Sequence, residues 1–394
     1  MTIKGDRAMD IGRSAWAEID LDNLKHNLSE VKRSIPEKTR IMGVVKANAY
    51  GHGAIQVAKA LRSEGVNLFA VALVSEALEL RNAGLTEDIM ILGYTPHELF
   101  REAISRGVIL TVYNREGAEA ISEEAKSLGR VAKVHVKIDT GMGRLGFRAG
   151  EKAVEEIVSL KDLENLELDG FFTHFATSDE RDKSYSATQF KKFSDILDEL
   201  RSRGVEVKNT HVSNSGAIID LQEYTLDIVR PGIMLYGYYP SDEVSRSKIK
   251  LREVMTLKTR ISNIKQIEPG ESVGYGRSYV AERVTKVATV PLGYGDGFTR
   301  LLSGKLSLSV GRKRAKLIGN ICMDQSMIDC TDIEEAKIGD EVIAFGYGSD
   351  VNNADSLAKA LGTISYEILC MVGMRIPRVY TSGGKLLEIA DYLQ

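Results

Sequence analysis

"RIMGVVKANAYGHGAIQVAKALRSEG" (residues 40–65) reads as a strand, a loop and a helix in succession. Residues 40–47 form a short apolar run with paired valines, which is strand texture. From Gly53 the apolar residues recur at three- and four-residue spacing as far as Gly65, predicting a helix over 53–65 that stops at a glycine. The unit then repeats. Strands are expected at 68–73, 88–93, 108–113, 132–139, 168–175, 207–214 and 226–232, with helices between them such as 74–84 and 186–204. Ser75, Gly84 and Gly204 sit at plausible helix ends. Eight strands each followed by a helix favour an α/β fold of the (β/α)8 TIM barrel type over an open sheet.

After "YYPSDEVSRSKIK" (238–250) the texture changes. The runs "VMTLKTRISNIKQI" (254–267), "VTKVATVPL" (284–292) and "KLSLSVGRKRAKLIG" (305–319) are short and alternating, separated by Gly and Pro turns. They predict a C-terminal β-rich domain. The expected division is 12–245 for the barrel and 246–394 for the second domain. The first strand, at about 13–20 within "SAWAEIDL" (14–21), is a candidate to join the second domain although it precedes the barrel.

Bulk properties narrow the function. A chain of 394 residues exceeds one ordinary core. A net charge of -3 argues against a protein built to neutralise nucleic-acid phosphates. Cys322, Cys330 and Cys370 make no CxxC pair, which fits a reduced compartment. The first residues lack a signal peptide's apolar core, and no run reaches the roughly 18 apolar residues of a membrane span. A cytoplasmic protein without nucleic-acid or membrane partners is expected.

Barrel chemistry belongs at the C-terminal strand ends and the loops after them. Lys46 ends the first strand, and Tyr50 lies in its loop. Arg144 follows the fifth strand and His174 ends the sixth; Asn214 and Ser215 follow the seventh, and Arg230 and Gly232 close the eighth. Lys46 is either a stem snorkelling into water or a desolvated amine of lowered pKa, able to form a Schiff base. The apolar run before it and the small residues after it favour the second. His52 reads as a loop or core histidine. Lys137 shares interior parity with Lys133 and His135; facing inward near Arg144 it would need neutralising, and facing outward it would not.

"DTGMGRLG" (139–146) contains a GxGxxG match, but "FRAGE" intervenes where the dinucleotide fingerprint requires a helix to start. That reading is set aside. No HxH or HExxH spacing occurs, so no metal site is expected. In the second domain, Tyr275 between two glycines reads as presented rather than packed.

"AEIDLDNLKHNL" (17–28), "VVKANAYGHG" (44–53), "KIDTGMGRLGF" (137–147), "THFATSDE" (173–180), "HVSNSGA" (211–217), "VRPGIMLYG" (229–237), "VGYGRSY" (273–279), "GYGDGF" (293–298), "CMDQSM" (322–327) and "SYEIL" (365–369) run in that order through nearly the whole chain. Together they closely resemble the alanine racemase family, enzymes dependent on pyridoxal 5'-phosphate. The resemblance implies a head-to-tail homodimer with active sites shared between subunits. It makes Lys46 the Schiff-base lysine and the base for one substrate face, and Tyr275 from the other subunit the base for the opposite face. Arg230 would contact the pyridine nitrogen. Tyr50, Ser215, Gly232, Ile233 and Tyr366 would hold the phosphate, with Asn214 beside them. Arg144 would contact the cofactor's phenolic oxygen and help receive the substrate carboxylate. His174 would hydrogen-bond both Tyr275 and Arg230. Met323 and Asp324 would shape the substrate side from the partner subunit, and Tyr294 and Tyr366 would narrow the pocket. Lys137 matches a position often carbamylated, where the added charge would orient Arg144. Asn320 stands where many members carry an arginine at the entrance, which bears on substrate breadth.

The residue types suit racemisation. An amino-acid Cα proton is too weakly acidic for a side chain to remove unaided, so the cofactor supplies the electron sink. Inversion needs proton removal on one face and delivery on the other, hence two acid/base groups of different kinds. An arginine at the ring nitrogen must donate, which keeps that nitrogen unprotonated and the sink weak. That favours reprotonation at Cα over transamination or decarboxylation. The expected reaction is interconversion of L- and D-alanine, supplying D-alanine for peptidoglycan. The alternatives are a broader racemase acting on serine, a decarboxylase of related architecture, and a non-enzymatic cofactor carrier, which would lack the β domain bearing Tyr275.

Overall fold

The run Arg40–Val44 is the first of eight parallel strands, each set beside the last because an intervening helix carries the chain back over the outer face. The computed structural model describes residues 12–348 and 350–393. The remaining strands are Leu68–Val71, Asp88–Ile91, Val108–Val112, Ala132–Asp139, Leu166–Phe172, Thr210–His211 and Ile228–Val229. The last pairs with the first, Ile228 opposite Arg40. The Arg230 amide donates to the Ser213 carbonyl at 2.9 Å, linking the seventh and eighth strands at the mouth. The sheet is thus a near-closed, TIM-like barrel, and strand side chains such as Phe69, Val134, Val136 and Phe171 are buried. Burying each is worth about 1.5–3 kcal/mol.

The helices expected at 53–65, 74–84 and 186–204 run over Ala54–Ser63, Val74–Asn82 and Ser184–Ser202. Gly65, Gly84 and Gly204 follow them at φ +88, +84 and +78°, the left-handed stop that a Cβ would disfavour. Ser75 is not the cap expected of it. The Glu76 carboxylate accepts from the amides of Ala72 (2.7 Å) and Leu73 (3.1 Å), because a longer side chain reaches back over the first turn. The seventh and eighth strands keep only two ladder residues each, since their C-terminal residues leave the sheet to line the mouth.

The second domain is a ten-stranded sheet. Ala15–Asp20 lies inside it, antiparallel to Met255–Arg260 and parallel to Arg378–Ser382. The chain therefore starts in one domain, builds the other, and returns. Among the described residues no helix is long and apolar enough to cross a membrane.

Candidate active site

Lys46 opens a tight turn, Lys46–Tyr50, in which Ala47, Asn48, Ala49 and Tyr50 all have φ of 52–53°. Left-handed conformation costs an L-residue roughly 1–2 kcal/mol, so four such residues persist only because their surroundings hold them. The Ala47 amide donates to the Glu76 carboxylate at 2.6 Å. Buried His52 presents Nδ1 to the carbonyls of Ala49 (3.0 Å) and Tyr50 (2.9 Å), so that nitrogen carries the proton. Burial lowers the Lys46 pKa, and the charge of Arg144 lowers it further.

The turn also sets the Tyr50 ring 4.8 Å from Tyr236 and 6.0 Å from Tyr366. A Cβ on Gly232 would stand 2.8 Å from the Tyr50 hydroxyl, so glycine keeps a cradle open there. Ser215 Oγ closes its other side by accepting from the Gly232 amide at 3.1 Å. Ile233 begins the following 3-10 turn. The Asn214 side-chain oxygen accepts from the Ala217 amide (3.1 Å) and the Ser178 hydroxyl (2.7 Å), which fixes the entry to this loop.

Arg230, just past the C-terminal end of the eighth strand, is 3% exposed. Nη2 donates to the carbonyls of Thr173 (2.9 Å) and Val212 (3.0 Å) and faces His174 Nδ1 at 3.3 Å; Nη1 faces His211 Nδ1 at 2.7 Å. Arginine has no acceptor, so both imidazoles accept at Nδ1 and carry their proton on Nε2. From His211 the chain continues, Nε2 to His135 Nδ1 at 2.8 Å and His135 Nε2 to Asp169 Oδ2 at 3.2 Å. Every donor in this relay runs from Arg230 towards the carboxylate. Burial pulls the Arg230 pKa down to about 9, with Arg144 adding to it. His174 and His211 lie well below the usual histidine value through burial and the Arg230 charge, so both are neutral at pH 7.

Lys137 faces inward, 3% exposed, with Nζ 4.3 Å over the Phe172 ring. Burial, Arg230 and Arg144 bring its pKa down to about 7. The parity it shares with Lys133 misleads at that residue, which is exposed at the start of the strand, below the packed interior. Arg144 is itself exposed at the mouth.

A second group lies on the other domain. Asn320 Nδ2 donates to the Tyr275 carbonyl (2.7 Å). The Tyr294 and Gly295 amides donate to the carbonyls of Cys322 (3.0 Å) and Met323 (2.8 Å), and Asp324 pairs with Arg375 at 2.7 Å. These bonds gather Tyr275, Tyr294, Met323 and Asp324 into adjacent loops. Tyr275 is 71% and Met323 54% exposed. Among the described residues no hydrogen bond or ring contact joins Tyr275, Met323 or Asp324 to Lys46, Arg230 or His174.

Two family models match consecutive parts of the chain, "Alanine racemase, N-terminal domain" over residues 19–240 and "Alanine racemase, C-terminal domain" over 254–380. The chain belongs to the alanine racemase family. It is 46% identical to alanine racemase 1 of Clostridium acetobutylicum over 97% of this chain and 99% of that one. The alanine racemase structure of Clostridium difficile superposes with a TM-score of 0.96 at 46% identity, covering 98% of this chain and 100% of that one. An alanine racemase structure from Bacillus anthracis with bound L-Ala-P gives 0.91 at 36% identity, over 97% and 98% of the two chains.

The family is pyridoxal phosphate-dependent, and the barrel mouth fits that group. The Gly232 cradle between Tyr50 and Ser215 suits a phosphate, Lys46 supplies an amine of lowered pKa, and Arg230 supplies a fixed donor. Membership in the alanine racemase family makes the chain an isomerase. The relay Asp169–His135–His211 carries no assignment in the sequence reading. Its sequence signal was two histidines in barrel strands, one of them inside the quoted "HVSNSGA", and only the folded register puts them within bonding distance.

Proposed function

We propose that this chain interconverts L- and D-alanine, with Lys46 and Tyr275 as acid/base groups on opposite substrate faces and Tyr275 supplied by a second copy. The observation that carries the reading is Arg230, a buried cation fixed at the mouth that also holds Lys46 and the Gly232 cradle. Pyridoxal phosphate, when bound, would supply the electron sink for the charge left at Cα. Tyr50, Ser215, Gly232, Ile233 and Tyr366 would seat its phosphate, Asn214 would fix the loop beneath, and Arg230 would donate to its ring nitrogen. Arg144 would meet its phenolic oxygen and the substrate carboxylate. Lys137, about half deprotonated at pH 7, is suited to carbamylation, which would replace a cation by an anion facing Arg144. Lys46, with its lowered pKa, takes or returns the proton on one face. His174, protonated on Nε2, is a donor for the phenol of Tyr275 from the second copy, which favours the phenolate as base.

Tyr275, Met323, Asp324 and Tyr294 stand exposed on the other domain, which supports their delivery across a homodimer interface. In a bacterial cytoplasm the product would feed peptidoglycan synthesis. Asn320, anchored to the Tyr275 backbone, leaves the entrance without the arginine common in the family. Racemisation of L-serine is therefore the second substrate to test.

The test is complementation. Lys46→Ala and Tyr275→Phe homodimers should each lose racemisation. Co-expressed, they should regain roughly a quarter of wild-type activity, because half the dimers are mixed and each carries one intact site. Tyr275→Phe alone should still trap its cofactor with borohydride but lose Cα-proton exchange from one enantiomer. Full racemisation by Tyr275→Phe, or no recovery in the mixture, would defeat the shared two-base site.

A further inference from the structure

The left-handed turn that carries Lys46 ends against the other domain of the same chain. The strand Arg378–Ser382 faces that end with two buried side chains, Arg378 and Tyr380, each 1% exposed. Arg378 Nε donates to the Gly51 carbonyl at 2.9 Å; Nη1 donates to the carbonyls of Gly373 (2.6 Å) and Ile376 (2.5 Å), and Nη2 to Val372 (2.6 Å). Among the described residues no carboxylate pairs with it, and the Tyr392 ring lies 5.5 Å away. A buried cation without a counter-ion is costly, so all its compensation comes from these carbonyl dipoles.

Two residues on, and on the same strand face, the Tyr380 hydroxyl donates to the His52 carbonyl at 3.0 Å. That hydroxyl fills the space where a Cβ on Gly53 would lie, 1.8 Å away. Asn48, within the turn, donates from Nδ2 to the Tyr392 hydroxyl at 3.1 Å and accepts at Oδ1 from the Ala54 amide at 2.8 Å. The segment 48–53 is therefore gripped at one side-chain amide and two successive carbonyls by the C-terminal strands, while its start is fixed by the first barrel strand.

We propose that Arg378 and Tyr380 are positioning residues for Lys46. They hold the carbonyls just past the left-handed turn, so the turn cannot unwind and swing the Lys46 amine away from the cofactor. The proposal rests on Lys46 being the cofactor lysine. It gives the second domain a task within its own subunit's barrel, separate from the loops it presents to a partner.

The test uses the cofactor-loaded protein as purified, with Tyr380→Phe as the main variant because the phenyl ring still fills the site. Tyr239→Phe, which removes a comparable hydroxyl bond to the Ile249 carbonyl (2.8 Å), is the control for general destabilisation. One hydrogen bond lost corresponds to about a fivefold change. Tyr380→Phe should speed amide exchange across residues 47–53 and cofactor release by roughly that factor, with barrel strands unchanged; Tyr239→Phe should do neither. Arg378→Lys keeps the charge but cannot reach four carbonyls, and should give a larger effect of the same pattern. Borohydride trapping of the wild type is read alongside. An adduct on Lys46 with exchange and release unaltered in Tyr380→Phe would overturn the clamp alone. An adduct elsewhere would overturn the lysine assignment and the positioning claim with it.

Discussion

Replacing His211 by Phe tests whether Arg230 is held by the relay behind it. The aromatic ring is retained, and so is its stack on Phe172, now at 4.7 Å and 7°. What is lost is polar: the Arg230 Nη1 donor and the His135 Nδ1 acceptor both lose their partner in a buried site. Each buried group left unsatisfied costs about 1–3 kcal/mol, giving roughly 2–6 kcal/mol for the substitution. That is a large share of a typical stability of about 5–15 kcal/mol. Asp169→Asn should cost only about 1 kcal/mol, since an amide oxygen still accepts from His135 and only the charge assistance is lost. The hydrogen bond from His135 holds the Asp169 carboxyl below its usual range. Its contribution is accordingly full above the ordinary carboxylate value and fades as pH falls through the lowered one. Urea unfolding of the loaded protein, single variants against the double, measures the coupling. A loss under about 1 kcal/mol for His211→Phe, or strict additivity with Asp169→Asn, would refute the relay as one unit.

Lys137 gives a pH signature. Its pKa falls from 10.5 to about 7 on folding, so between those values the unfolded chain binds the proton and the folded chain does not. Stability of the cofactor-free, bicarbonate-free protein should therefore rise from pH 7 to 10.5 and lie flat below 7. Lys137→Met should reduce that slope to what the lowered Lys46 and Arg230 groups leave, and bicarbonate should stabilise only the wild type; matching urea midpoints across pH for both proteins would disprove the buried-amine account. Gly232→Ala should push the Tyr50 hydroxyl out of the cradle and weaken pyridoxal phosphate binding roughly 10- to 100-fold in a spectroscopic titration, the worth of one charge-assisted bond. Unchanged affinity would place the phosphate elsewhere. Arg230→Glu would allow a protonated ring nitrogen, and pyruvate should accumulate from L-alanine as a transamination product; its absence would remove the electronic argument for arginine.

The repeat of apolar strand and amphipathic helix determined the barrel, because burial of each sheet face requires that periodicity and a helix must cover it. The change to short alternating runs after residue 250 likewise determined a sheet-rich second domain. Lys46, Arg230, His174 and Ser215 were legible as a group because barrel chemistry gathers at the C-terminal strand ends, whichever strands supply it. Ser75 was misplaced as a cap because Ser and Glu compete for the same amides, and only the folded turn decides between them.

What the sequence could not decide depends on contacts between distant segments. The left-handed run at Ala47–Tyr50 contradicts the local preference of alanine and tyrosine, and is held by Glu76, Arg378 and Tyr380 from two other elements. The relay requires the register of three strands to align His211, His135 and Asp169 behind Arg230, and no local pattern encodes that register. Periodicity is a local consequence of solvent, so it is written along the chain. Strain and hydrogen-bond direction are consequences of closure, so only the closed tertiary structure reveals them.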